Sequence, residues 1–259
     1  MSAAARRAGR TLAVSAWLLP LAVLGVQALS RRWFFPQLLP RTWTFAPLRA
    51  VLTDDRTMAA VGRGLAVGVA VTAIALVAAW PAARLLATAG ATGRGLIFAL
   101  LFLPSLLPAV GLAIGVNTVL LRTPLSSGLP AVVVAHLVPT MPYAVALLTA
   151  AFARLDPDRE RQAALLGASA WQRLRLVVLP AVAGGVAAAA VLVFLVSWSQ
   201  YLLTLLAGGG RVVTVTMLLF NALAGGNPSS IGSLALVAAA PSVLALAVAA
   251  VGLREPARS

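Results

Sequence analysis

The groups able to do chemistry in this chain are few and unevenly placed. It has one histidine, His136, no cysteine and no lysine. Three of its six carboxylates, Asp156, Asp158 and Glu160, fall in one polar stretch, residues 153–180, together with Arg154, Arg159, Arg161, Arg173 and Arg175. This set contains no nucleophile with a base and an orienting group, so neither general enzyme chemistry nor a membrane-embedded enzyme acting on lipid is supported. Too few ligands exist to converge on a metal inside a membrane. A phosphate-cradling G-x-x-x-x-G-K-[ST] loop is excluded because lysine is absent, so any ATP that drives this chain must be bound by another one. A mixed-charge stretch without catalytic groups suits recognition by a partner.

The elements that must position those charges can be read locally. Asp156 is suited to cap a helix, Pro157 to its first turn, and Asp158 to the positive end of its dipole. Gly167 can adopt positive φ and end that helix. Ser169 and Gln172 have the spacing of a capping box, which predicts a second helix running toward Pro180. Residues 153–180 therefore read as helix, glycine hinge, helix, set between apolar spans.

Those spans define the fold class. With 61% hydrophobic residues and a mean hydropathy of +0.98, the chain reads as an all-α polytopic membrane protein. Apolar runs of about 20 residues, enough to cross the hydrocarbon layer, recur along it. The alternation required of a transmembrane barrel is missing. Six spans are expected, at about 11–29, 64–86, 96–121, 129–152, 177–206 and 231–253. The first follows Arg6, Arg7 and Arg10 and is longer than the apolar run of a signal peptide, which favours a retained span. Trp33, Phe34, Phe35 and Trp43 in the connection 31–61 suggest a segment at the membrane interface. Gly111-x-x-x-Gly115 is a spacing that lets another helix approach. Residues 1–259 are read as a single transmembrane domain containing a polar loop at 153–176.

The net charge of +14 comes from 20 basic residues, all arginine. They sit mostly at span ends, which points to the lipid bilayer and a positive-inside topology, with nucleic acid not indicated. From the second span onward, nine arginines fall on one side and two, Arg122 and Arg211, on the other. The bias places both termini and residues 153–176 in the cytoplasm; Arg31 and Arg32 run against it and are assigned to interfacial anchoring. No carboxylate falls within an expected span, which disfavours an ion-coupled secondary transporter, the alternative reading. Asn117, His136, Tyr143, Ser197, Ser199, Gln200 and Tyr201 are the polar groups available to line a translocation path. For His136 a hydrogen bond between helices is the simpler expectation.

The central stretch resembles the signature loop of permease subunits in bacterial binding-protein-dependent ABC importers, the MetI-like family. That pattern runs E-A-A, three residues, Gly, nine residues, an aliphatic residue, one residue, Leu-Pro. Gln162 and Ala163 fall on the alanines, Gly167 on the glycine, Val177 on the aliphatic position and Leu179–Pro180 on the ending. Leu155-Asp156-Pro157 and Ala168-Ser169 are also similar to the family. One departure stands out: Arg161 falls where the family has its glutamate, with Glu160 one residue earlier.

The resemblance implies a non-catalytic subunit of the bacterial inner membrane that forms the path for a small solute. Its implied partners are a dimer of ATPase subunits that carry ATP-Mg, a second permease (identical or homologous) and an extracytoplasmic solute-binding protein that meets residues around 207–229. This chain itself is expected to bind no cofactor. Asp156, Glu160, Arg161, Gln162, Ala163, Gly167, Ala168 and Pro180 are the residues carried over to coupling with the ATPase. SWSQYLLT in the fifth span and the following GGGRVVT look most like the branch handling polyamines, thiamine, ferric iron and oxyanions, with sugars second.

Overall fold

The computed structural model describes residues 19–31, 33, 37–88 and 91–252. Among them the secondary structure is helical, with one isolated bridge between Ser30 and Trp43 and no strand. The expected N-terminal arginines Arg6, Arg7 and Arg10, the start of the first span, Arg32, Phe34, Phe35, and the C-terminal Arg254, Glu255 and Arg258 lie outside the described residues.

The helices are α1 (Leu19–Ala28), α2 (Ala46–Thr53), α3 (Asp55–Thr88), α4 (Ala91–Phe102), α5 (Ala109–Leu120), α6 (Leu129–Phe152), α7 (Pro157–Leu165), α8 (Ala170–Arg173), α9 (Leu179–Trp198), α10 (Leu202–Gly208), α11 (Val215–Gly225) and α12 (Pro228–Gly252). Among the described residues four helices are long and apolar enough to cross a membrane: α3, α6, the continuous helix Ala170–Trp198, and α12. A bent pair, Gly93–Leu106 with Ala109–Leu120, makes a fifth if counted as one span. Of the first expected span, about 11–29, the structure describes α1, and residues 11–18 lie outside the described residues.

Three boundaries differ from the sequence expectation. The third span is bent by 101° where a 3-10 turn, Leu103–Leu106, meets Pro108. Proline lacks the N–H a helix needs and disfavours helix in the residue before it, so Pro104 and Pro108 together break the run. The fifth span ends at Trp198 instead of about 206, and the chain turns through residues 199–201 into α10. The glycine-rich connection at 207–229 carries a helix, α11.

The described parts of Met1–Gly62 and Thr214–Pro241 form one compact unit, and those of Arg63–Val213 and Ser242–Ser259 another. In the first, Ser229 Oγ donates to the buried Ser30 carbonyl at 2.7 Å, and the α3 start is capped by Asp54, which accepts from the Thr57 amide and hydroxyl. The Thr57 hydroxyl bond, the largest cause, holds the Asp54 carboxyl below the usual carboxylate range. Exposed Leu38, Trp43 and Phe45 mark the segment expected at the interface.

The second unit is built around α6, whose residues Ala131, Val132, Ala135, Ala144, Val145 and Leu148 are buried in the core. Along α9 it packs closely enough that a Cβ on Gly185 would overlap the Cβ of Ala151. At the far end of α6, Phe152 meets Trp80 of α3 edge-on, centroids 4.9 Å apart. By contrast, a Cβ at Gly111 or Gly115 would meet nothing within 4 Å, so that spacing serves no close approach within this chain.

Candidate functional site

Residues 153–180 form the structure that local sequence rules require. The Asp156 carboxylate accepts from the Asp158 amide at 3.0 Å, capping α7. At the other end Gly167 has φ of +83°, with its amide bonded to the Ala164 carbonyl and the Ala168 amide to the Ala163 carbonyl, both at 3.0 Å. That pair of bonds is a Schellman motif, which needs a residue in the left-handed region and so favours glycine. Space for a side chain exists at Gly167, where a Cβ would meet nothing; only the backbone conformation selects glycine.

Ser169 then opens α8 with both halves of the capping box. Its hydroxyl accepts from the Gln172 amide at 3.3 Å, and the Gln172 Oε1 accepts from the Ser169 amide at 2.8 Å. No loop separates α8 from the span that follows. A π-helical turn, Leu174–Val178, joins them. The wide turn sits directly ahead of Pro180, which interrupts the amide ladder and whose ring would crowd a regular turn.

The charges sort onto two sides of α7. Glu160 is turned inward: its Oε2 accepts from Arg84 Nη2 at 2.5 Å, and its Oε1 lies 3.8 Å from Arg173 Nε. Arg173 Nη1 also donates to the Ala168 carbonyl at 3.1 Å. Arg84, near the end of α3, thus ties that span to α7, and Arg173 ties α7 to α8. Arg161 is turned outward, its side chain 75% exposed and paired only locally with the exposed Asp158 at 2.9 Å. Surface pairs of this kind contribute roughly 0.2–1 kcal/mol. Gln162 is exposed and Ala163 half-buried. Leu165 and Leu166, each 88% exposed, and the exposed Trp171 complete an apolar patch at the same bend. Burying such a leucine is worth about 1.5–3 kcal/mol. Among the described residues no group of three or more His, Cys, Asp and Glu side chains could hold a metal.

The polar groups expected along a path are brought together only in part. His136 is buried, with Nδ1 2.9 Å from Ser197 Oγ and Nε2 3.0 Å from Thr204 Oγ1. The Thr204 hydroxyl proton goes to the Gln200 carbonyl at 2.8 Å. Thr204 therefore accepts from His136 Nε2–H, and in the neutral tautomer this leaves Nδ1 to accept from the Ser197 hydroxyl. This one side chain joins α6, α9 and α10. Tyr143 instead lies edge-on to Phe102, 5.5 Å between centroids. Ser199 is exposed and donates to the Val196 carbonyl at 3.0 Å. Gln200 and Tyr201 are half-buried in the turn before α10. Asn117 Oδ1 on α5 is buried with no hydrogen-bond partner among the described residues.

Two arginines also carry structural contacts that sequence reasoning did not anticipate. Arg63 donates to the Val213 carbonyl at 3.0 Å, and Arg211 to Ser127 Oγ at 2.6 Å. Neither contact leaves a local sequence signal, because the partners are 150 and 84 positions away.

The fold is similar to that of chains in two solved ABC transporter structures. The crystal structure of a bacterial ABC transporter involved in the import of the acidic polysaccharide alginate aligns with a TM-score of 0.68 at 16% identity, covering 96% of this chain and 97% of that one. A second alginate ABC transporter structure, in complex with an alginate pentasaccharide-bound periplasmic protein, aligns with a TM-score of 0.62 at 15% identity over 93% of this chain and 91% of that one. The family model for the binding-protein-dependent transport system inner membrane component matches residues 72–254. The chain belongs to that family, as a multi-pass membrane protein.

Named relatives agree. The trehalose transport system permease protein of Mycobacterium tuberculosis is 28% identical over 169 residues, 65% of this chain and 62% of that protein. The thiamine transport system permease protein of Brucella abortus is 31% identical over 172 residues, 60% of this chain and 32% of that protein. A putative 2-aminoethylphosphonate transport system permease protein of Salmonella typhi is 31% identical over 180 residues, 69% of this chain and 67% of that protein. The match thus spans less than two-thirds of the first two.

Proposed function

We propose that this chain forms the translocation path of an importer whose solute arrives on an extracytoplasmic binding protein, and that residues 153–176 are its cytoplasmic coupling loop. The observation that carries the reading is the build of that loop: a capped helix, a Schellman turn at Gly167 and a second capped helix continuous with a span. In this reading the loop seats in an ATPase subunit, which binds ATP-Mg, and two such permeases enclose the path. The chain itself contributes no catalytic group.

Motion imposed on α7 has two rigid routes into the bundle. Through Glu160 and Arg84 it reaches α3. Through Arg173 and the unbroken α8 it reaches α9. Asp156, Ala163, Gly167 and Ala168 hold the shape that makes α7 a lever, and Pro180 marks where α9 departs from regular winding. The arginine bias along the sequence supports the cytoplasmic side for this loop, with both termini there, and residues around 207–229 on the opposite side toward the binding protein.

For the substrate we favour the polyamine, thiamine, ferric iron and oxyanion branch, with sugars second. The thiamine and aminoethylphosphonate relatives support the first and the trehalose relative the second. The deciding experiment is uptake in proteoliposomes containing this chain, its ATPase and its binding protein, with each candidate solute offered on that binding protein. ATP-dependent accumulation is expected. Accumulation that follows an ion gradient and persists without any ATPase would overturn the reading in favour of a secondary carrier.

A further inference from the structure

We propose that the ATPase subunit serving this chain presents a carboxylate to Arg161 beside an apolar socket for Leu165 and Leu166, the reverse of the charge arrangement that a glutamate at this position would call for. The proposal rests on the reading that residues 153–176 dock on an ATPase.

Two docking faces were possible, an anionic one presenting Glu160 or a cationic one presenting Arg161. The structure removes the first. Glu160 is held by Arg84 and lies beside Arg173 on the inner side of α7. Asp156 is occupied in capping the same helix. Asp158 pairs with Arg161 itself, three residues on. What α7 turns outward is a stripe one helical turn long, Arg161 followed by Leu165, since residues four apart lie on one face. Leu166 extends it at the bend. Arg154, Arg159 and Arg175 of the same polar stretch are exposed as well. A planar guanidinium beside a desolvating apolar surface is suited to a two-point bond with a carboxylate. Anionic lipid would also attract these arginines. A helix that lies on a bilayer, however, needs a continuous apolar face, and the outward positions of α7 are Asp158, Arg161 and Gln162 before Leu165.

The test uses the permease–ATPase complex purified from cells that express both. Arg161→Glu should weaken association about tenfold or more, Arg161→Gln less, and both should flatten its dependence on salt. Exchanging the facing ATPase carboxylate for arginine should restore binding of Arg161→Glu. Because the chain has no cysteine, Arg161→Cys offers a single thiol whose cross-links to an ATPase cysteine scan identify that carboxylate's position. Leu166→Asp is the control for docking itself and should abolish association. Loss with Leu166→Asp but none with Arg161→Glu overturns the charge assignment and leaves docking standing. Full association in both variants overturns docking as well. If Arg161→Glu lowers binding to phosphatidylglycerol vesicles, and not to the ATPase, the charge serves lipid and the proposal is wrong.

Discussion

Glu160 of α7 and Arg84 of α3 are bonded across 76 positions of sequence, joining the polar segment to a membrane span. With Arg173 beside it, Glu160 is an inner node and leaves Arg161, its neighbour in sequence, as the outward charge. The side chains at 160 and 161 point to different sides of the same helix, about 100° apart, so Glu160 does not occupy the position that the resemblance gives to the family's glutamate.

If that node transmits motion, Glu160→Gln should leave ATPase association intact and lower ATP-driven uptake several-fold, consistent with coupling changes of roughly 0.5–2 kcal/mol. Uptake and ATP hydrolysis measured together in proteoliposomes would report the ratio. Exchanging the pair, as Glu160→Arg with Arg84→Glu, should recover part of the loss. An unchanged ratio in Glu160→Gln would remove the node from the mechanism.

Gly167→Ala should cost about 1–2 kcal/mol locally through its positive φ, since no atom crowds the site. Gly167→Asn should be milder, because asparagine visits the left-handed region more readily. Uptake by the two variants is expected to rank Asn above Ala. The reverse order would mean that side-chain contact, and not the backbone, governs the turn.

Replacing His136 by alanine removes the imidazole partner of Ser197 in a buried site, while Thr204 keeps its bond to the Gln200 carbonyl, at a cost of about 1–3 kcal/mol for a lost buried partner. A lower thermal midpoint with an unchanged solute KM is the expected result, measured by thermal melting in detergent and by uptake. A KM shift with an unaltered midpoint would instead place His136 on the solute path.

Between α6 and α9, Gly185→Leu should overpack the contact with Ala151, destabilising by about 1–3 kcal/mol. Ala151→Gly in the same chain should return part of that. Thermal melting of the single and double variants makes the comparison.

The parts of this protein that depend on neighbours in sequence were legible there. Asp156, Gly167, Ser169 and Gln172 act within a few residues of themselves, so capping and φ rules place them without knowledge of the fold. The fourth span was found end to end, since Gly128 and the polar stretch bound it clearly. The break at Pro104 and Pro108 was visible as prolines but not as a 101° bend, because proline in a membrane helix can also produce only a kink. The end of α9 at Trp198 carried no breaker at all. Ser199, Gln200 and Tyr201 read as a polar cluster continuing a span, yet His136 on α6 bonds Ser197 on α9 and Thr204 on α10, at opposite ends of that turn.

By itself, the sequence determined a helical membrane protein, a missing phosphate loop, and a helix–glycine–helix insert with the spacing of an importer's coupling segment. Composition and local propensity suffice for these, since hydrocarbon demands apolar runs and closed backbone hydrogen bonding wherever they occur. Only the tertiary structure decided which charge of the Glu160–Arg161 pair faces inward. That choice depends on Arg84, contributed by a distant span, and a salt bridge between residues so far apart leaves no period or motif in the chain.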